Sequence, residues 1–137
     1  MKREIKFRVW DHNTNTMMIP DYFEFYDGKI GWIEAVREAG PVSGNDGCPD
    51  QFEIMQYTGL HDKNGREIYE GDVVRSSSIR QREKSFVGDV HYGQVDPSFT
   101  IHDKDGHYFR LYSSGEYRTY EVIGNIYENP ELLEGKQ

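Results

Sequence analysis

Only one cysteine, Cys48, occurs in the 137 residues. A single thiol excludes an internal disulfide and any metal site built on paired cysteines, and it suits a reducing compartment. No apolar run approaches membrane-spanning length, and the opening MKREIKFRVWD lacks the apolar core of a signal peptide. These absences predict a cytoplasmic protein with no membrane partner. Basic residues are also scarce. Lys+Arg number 16 against 24 Asp+Glu, a formal net charge of -8. That balance argues against a protein that coats nucleic acid by charge alone, because such binding depends on phosphate neutralisation. Apolar residues make up only 36%, yet 14% of the chain is aromatic. Few aliphatics and many aromatics favour pleated, half-buried surfaces, so the class read from composition is mainly β. The length suits one ordinary domain, or one domain with a small appendage.

Periodicity supports that class. Ile5, Phe7 and Val9 alternate with Lys6, Arg8 and Trp10, the period-two pattern of a strand. The turn formers Asp11–Asn15 follow, then a short strand at Met17–Ile19. Tyr22–Tyr26 and Lys29–Val36 flank Asp27-Gly28, which predicts a hairpin. Glu34–Ala39 reads equally as one helical turn. Residues 40–51 are dense in Gly, Pro, Asn and Asp and read as a linker or mobile loop. The domain boundary is therefore expected there, between a β segment over 1–51 and a larger β roll or barrel over 52–137. Within the latter, short strands are separated by the turns at 62–65 and 103–106 and by a polar stretch over 76–85. Phe99 and Ile101 are expected to share a face with Phe109 and Leu111. Asn129-Pro130 is expected to open a short C-terminal helical turn, with Asn129 as its cap.

Candidate chemistry is sparse. His61-Asp62-Lys63-Asn64-Gly65 and His102-Asp103-Lys104-Asp105-Gly106 could be twin metal loops, but the pattern of Asp, Asn and Gly is that of Asx turns, which is the reading preferred here. His102 and His107 flank a turn and could approach one another. No metalloprotease, nucleophile-elbow, P-loop or dinucleotide motif is present. Cys48 has no basic neighbour to lower its pKa. No catalytic, cofactor-binding or metal-ligating residue is assigned, and the expectation is a protein that is not an enzyme. Charge is uneven, with basic residues at Lys2, Arg3, Lys6 and Arg8 and again at Arg75, Arg80, Arg82 and Lys84, and acidic residues dominating 21–56. The basic loop could track a phosphate backbone, although a solvated loop is the simpler reading. The opposed charges could also support self-association. Trp10, opposite Val9 on its strand, is either covered or a contact residue. The candidate partner-binding residues are Arg8, Trp10, Arg75, Arg80, Arg82 and Lys84.

Three segments bear a family likeness. Lys6-Phe7-Arg8-Val9-Trp10-Asp11 followed by Met17-Met18, the long stretch MQYTGLHDKNGREIYEGDVV over Met55–Val74, and VIGNIYENPELL over Val122–Leu133 resemble the YopX family of small phage and prophage proteins. The resemblance is carried by these three segments and is not read over residues 20–51 and 76–118. The resemblance implies an SH3-like C-terminal β roll, a phage or prophage origin within a bacterial host, and no catalytic residue or cofactor. Its motif positions read as structural: Gly59, Gly65, Gly71 and Gly124 at turns or close approaches, Tyr57, Tyr69 and Tyr127 in packing, and Asp72 in turn chemistry. The expected function is that of an accessory protein binding a host or phage protein, with self-association. Nucleic-acid binding through 75–84 is the alternative.

Overall fold

The structure, a computed structural model, describes residues 4–37, 44–79, 84–112 and 118–134. It is mainly β, with antiparallel strand pairs and, among the described residues, two short 3-10 turns. The chain divides into two compact units, one spanning Ile5–Gln56 and the other running from Tyr57 onward.

The first unit is a sheet of β1 (Phe7–Asp11), β2 (Thr16–Tyr26), β3 (Lys29–Arg37), β4 (Gly44–Gly47) and the first half of β5 (Phe52–His61). The strand order is β4-β3-β2-β1-β5. The hairpin at Asp27-Gly28 forms as the sequence predicts: both residues have positive φ, 52° and 76°, as a type I′ turn requires. β2 is one long strand rather than two short ones. Pro20 interrupts the sequence pattern, but it lies where the register shifts between Pro20 and Tyr22, and a bulge tolerates the missing N–H. Glu34–Arg37 continue β3 in extended form instead of making a helical turn. Residues 38–39 lie outside the described residues. Part of the expected linker is ordered structure as well. Gly44–Gly47 pairs with β3 and Pro49–Gln51 forms a 3-10 turn. Val9, Met18, Ile33, Ala35 and Phe52 form the core.

One buried carboxylate organises the β1–β2 turn. Asp11, fully buried, accepts the Asn13 N–H at 2.9 Å and the Thr14 hydroxyl at 2.8 Å. It also accepts the side-chain amides of Asn45 and of Gln51, the latter at 3.1 Å. Burial pushes its pKa up, but these four donors prevail and hold it below the usual carboxylate value.

The second unit contains the rest of β5, β6 (Glu67–Tyr69), and a five-stranded sheet ordered β10-β9-β8-β7-β11. Its strands are β7 (Asp72–Ser78), β8 (Phe86–Tyr92), β9 (Phe99–Asp103), β10 (Tyr108–Arg110) and β11 (Arg118–Asn125). Ile68, Val74, Val90, Ile101, Tyr120 and Val122 form its core, with Phe99 and Leu111 packed against them. Phe109 stands directly opposite Ile101, as the alternation predicts. Ser76–Ser78, expected as the start of a polar separator, belong to β7 and pair with Tyr120, Thr119 and Arg118. The 3-10 turn Pro130–Leu133 also forms, with Pro130 in its first turn. Asn129 does not cap it by side chain; its Oδ1 accepts the Asn125 N–H at 3.2 Å instead. Among the described residues, no helix is long and apolar enough to cross a membrane.

Candidate functional site

The two Asp-Lys-Asx-Gly segments fold as the same turn. Asp62 Oδ1 accepts the backbone N–H of Asn64 and of Arg66, each at 2.9 Å. Asp103 Oδ1 accepts those of Asp105 at 3.0 Å and His107 at 2.9 Å. This is Asx-turn chemistry, with the following Gly at positive φ in both cases. The second oxygens differ. Asp62 Oδ2 takes the Val122 N–H at 2.9 Å in a buried bond, whereas Asp103 Oδ2 meets His107 Nδ1 at 3.1 Å on the surface. Asp103, Asp105 and His107 bring one potential ligand atom each within 4.8 Å of one another. Within it, Asp103 and His107 are bonded to each other in the turn, and Asp105 Oδ1 lies 4.0 Å from Lys104 Nζ.

The histidines pair differently from expectation. His107 turns to Asp103, while His102 meets His91 on neighbouring β8, ring centroids 4.6 Å apart. His91 Nε2 lies 2.7 Å from Asp89 Oδ2, and the Thr100 hydroxyl lies 2.8 Å from His102 Nε2. The hydrogen bond to Asp89 raises the His91 pKa against its burial, helped by the charges of Asp89 and Glu70. Burial, and then the charge of His91, lower that of His102.

Of the predicted contact residues that are described, Arg8 and Trp10 lie in the first unit and Arg75 and Lys84 in the second. Trp10 is only 7% exposed, so it is an interior residue and not an exposed contact; both faces of β1 are covered at this point. Arg8 is half-buried. Arg75 is exposed and pairs with Glu121 at 3.1 Å across β7 and β11. Arg80 and Arg82 lie outside the described residues. Lys84 lines a groove of about 670 Å³ in the second unit.

That groove contains residues the sequence did not single out. Phe86 and Phe109 stack with centroids 4.0 Å apart, and the Arg118 guanidinium sits 5.0 Å from the Phe86 centroid. Arg118 is fixed there by bonds to the Ser76 hydroxyl at 3.2 Å and the Lys84 carbonyl at 3.3 Å. Leu132 and Leu133 add apolar surface, and Lys104, Asp103 and Asp105 add charge of both signs. β10, which contributes Phe109, stands at the edge of the sheet and among the described residues pairs with β9. The aromatic character of Phe86 and Phe109 was legible, but their meeting with Arg118 depends on strand order.

Such a molecule, two antiparallel β units with a mixed-charge groove and two Asx-turn hairpins, belongs to the class of small all-β proteins. The chain belongs to the YopX protein family, whose pattern it matches over residues 6–134. It is 40% identical over 75 residues to a Bacillus subtilis protein described as an SPbeta prophage-derived uncharacterized protein YopX. That match spans about half of each chain, 52% of this one and 53% of the relative. The crystal structure of protein yopX from Bacillus subtilis is similar with a TM-score of 0.61 at 27% identity, covering 93% of this chain and 96% of that one. The crystal structure of protein EF1440 from Enterococcus faecalis has a TM-score of 0.59 at 25% identity, with 96% and 99% covered.

Proposed function

We propose that this chain is a non-enzymatic phage or prophage accessory protein that acts in the cytoplasm of a bacterial host by binding another protein in the groove beside β10. The groove itself carries the reading: stacked Phe86 and Phe109 with Leu132 and Leu133 form an apolar surface, and Lys84, Lys104, Arg118, Asp103 and Asp105 provide charge of both signs. An apolar centre with a polar rim is the composition of a protein-binding surface. β10, at the edge of the sheet as described, is placed to pair with a strand of the partner. The prophage origin of the Bacillus subtilis relative supports the phage setting.

A photocrosslinking residue placed at Lys104, in cells carrying the parent prophage, tests this directly. A discrete adduct to one protein is expected, and it should disappear when Leu132→Asp and Leu133→Asp are combined in a chain of unchanged thermal midpoint. An absent adduct, or one insensitive to those changes, overturns the reading. Nucleic-acid binding is the second reading, favoured by Lys84 and Arg118 beside two aromatic rings. Asp103 and Asp105 in the same groove oppose it. It requires duplex or single-stranded binding that weakens with salt and falls on Lys84→Gln with Arg118→Gln.

A further inference from the structure

The outer face of β2, β3 and β4 in the first unit is aromatic and acidic together. Register puts Tyr22 opposite Glu34, Glu24 opposite Trp32, and Glu34 opposite Asp46. Glu24 accepts hydrogen bonds from the hydroxyls of both Tyr22, at 3.3 Å, and Tyr26. Tyr22 and Tyr26 are 48% and 61% exposed, although large aromatic rings are favourable to bury. Tyr26 occupies the space that a side chain at Gly31 would fill: a Cβ there would come 2.1 Å from its ring. Removing that side chain lays an exposed ring against the sheet backbone.

The carboxylates add a second anomaly. Glu34 and Asp46 are exposed, of like charge, and direct cross-strand neighbours, an arrangement that destabilises a sheet. Their charge also reaches the tyrosines: Glu24, then Glu34, raises the Tyr22 pKa, and the bond to Glu24 raises that of Tyr26. Among the described side chains of these three strands, Lys29 is the one cation, and it sits at the hairpin end opposite Tyr26. The face therefore combines open π surfaces with an excess of negative charge among its described side chains, the two features that attract ammonium and guanidinium groups.

We propose that this face docks a lysine- and arginine-rich segment of another protein, the cationic heads lying over Tyr22, Tyr26 and Trp32 and pairing with Glu24, Glu34 and Asp46. The proposal rests on the reading of this chain as a protein-binding scaffold, but it uses residues distinct from those of the groove.

Fluorescence anisotropy on the full chain, with a short labelled peptide of alternating lysine, arginine and serine, tests it at low salt. Binding is expected, with an acidic peptide of equal length left unbound. Glu24→Gln with Glu34→Gln should weaken it at least ~10-fold, and Tyr22→Ala with Tyr26→Ala should do the same. Glu34→Gln should at the same time raise the urea midpoint by relieving repulsion with Asp46, so lost binding cannot be mistaken for lost folding. Failure to bind the cationic peptide, undiminished binding by the glutamine variant, or equal binding of the acidic peptide overturns the proposal. A dimer in light scattering that the same substitutions disperse assigns the face to a second copy and overturns it too. Cationic-peptide binding that survives Leu132→Asp with Leu133→Asp separates this face from the groove. A lost groove crosslink with retained peptide binding would sink only the groove reading.

Discussion

Asp62 and Val122 are joined across 60 residues of sequence by one buried hydrogen bond, 2.9 Å from the Val122 amide to Asp62 Oδ2. The same turn donates the Lys63 N–H to the Tyr120 carbonyl at 2.8 Å and an Arg66 guanidinium N–H to the Val122 carbonyl at 3.3 Å. The most distinctive stretch of the sequence is thus a hairpin turn fastened to β11. Its polar residues Asp62, Lys63 and Arg66 each make a bond to that strand.

Replacing Asp62 by Ala leaves the buried Val122 amide without an acceptor and opens the Asx turn. A loss of about 3 kcal/mol in urea unfolding is expected, from buried donors left unsatisfied. Asp103→Ala, in the equivalent surface turn, should cost distinctly less. Equal losses would mean that the buried bond contributes nothing beyond the turn.

Acid should weaken the fold through the same group. Burial raises the Asp62 pKa, but the amides of Val122, Arg66 and Asn64 outweigh it and leave it lowered; Asp11 is lowered likewise by its four donors. A carboxylate that binds its proton less tightly when folded stabilises fully above its unfolded pKa, about 4. That stabilisation is lost as pH falls through the lowered folded value. Unfolding free energies measured from pH 7 down to 2.5 should therefore decline most steeply below about pH 4, and Asp62→Asn should flatten the decline.

The histidine pair predicts split titration. His91, bonded to Asp89, should titrate above about 6.5 by NMR, and His102 below it. The His91 contribution is complete below that reference and fades as pH rises through its raised value. The His102 contribution runs the other way, complete above the reference and lost as pH falls. Asp89→Asn should lower the His91 midpoint; an unmoved midpoint would remove Asp89 as its cause.

Two glycines should fail for different reasons. A Cβ at Gly88 would come 2.6 Å from the His102 carbonyl oxygen, a backbone atom with little freedom, so Gly88→Ala should cost about 2 kcal/mol or more. Gly28 has open space but a φ of 76°, and Gly28→Ala should cost about 1 kcal/mol through strain alone. Paired urea titrations distinguish the two, and a milder effect at Gly88 would refute the packing argument.

Local chemistry was legible in the sequence because neighbouring residues decide it. Asp27-Gly28 makes its turn through backbone preferences at two positions, and the Asp-Lys-Asx-Gly segments close through bonds to amides two and four residues on. The mainly β class and the shared face of Ile101 and Phe109 follow from alternation. Register and strand order are set by packing between distant segments, and these the sequence left open. They bury Trp10, put His102 against His91 rather than His107, and turn Ser76–Ser78 into a paired strand. They also bring Arg118 over Phe86 and set Glu34 beside Asp46. No local pattern encodes such meetings, since each depends on which strand lies beside which; the sequence by itself determined the turns and the alternation, and the tertiary structure decided which side chains share a surface.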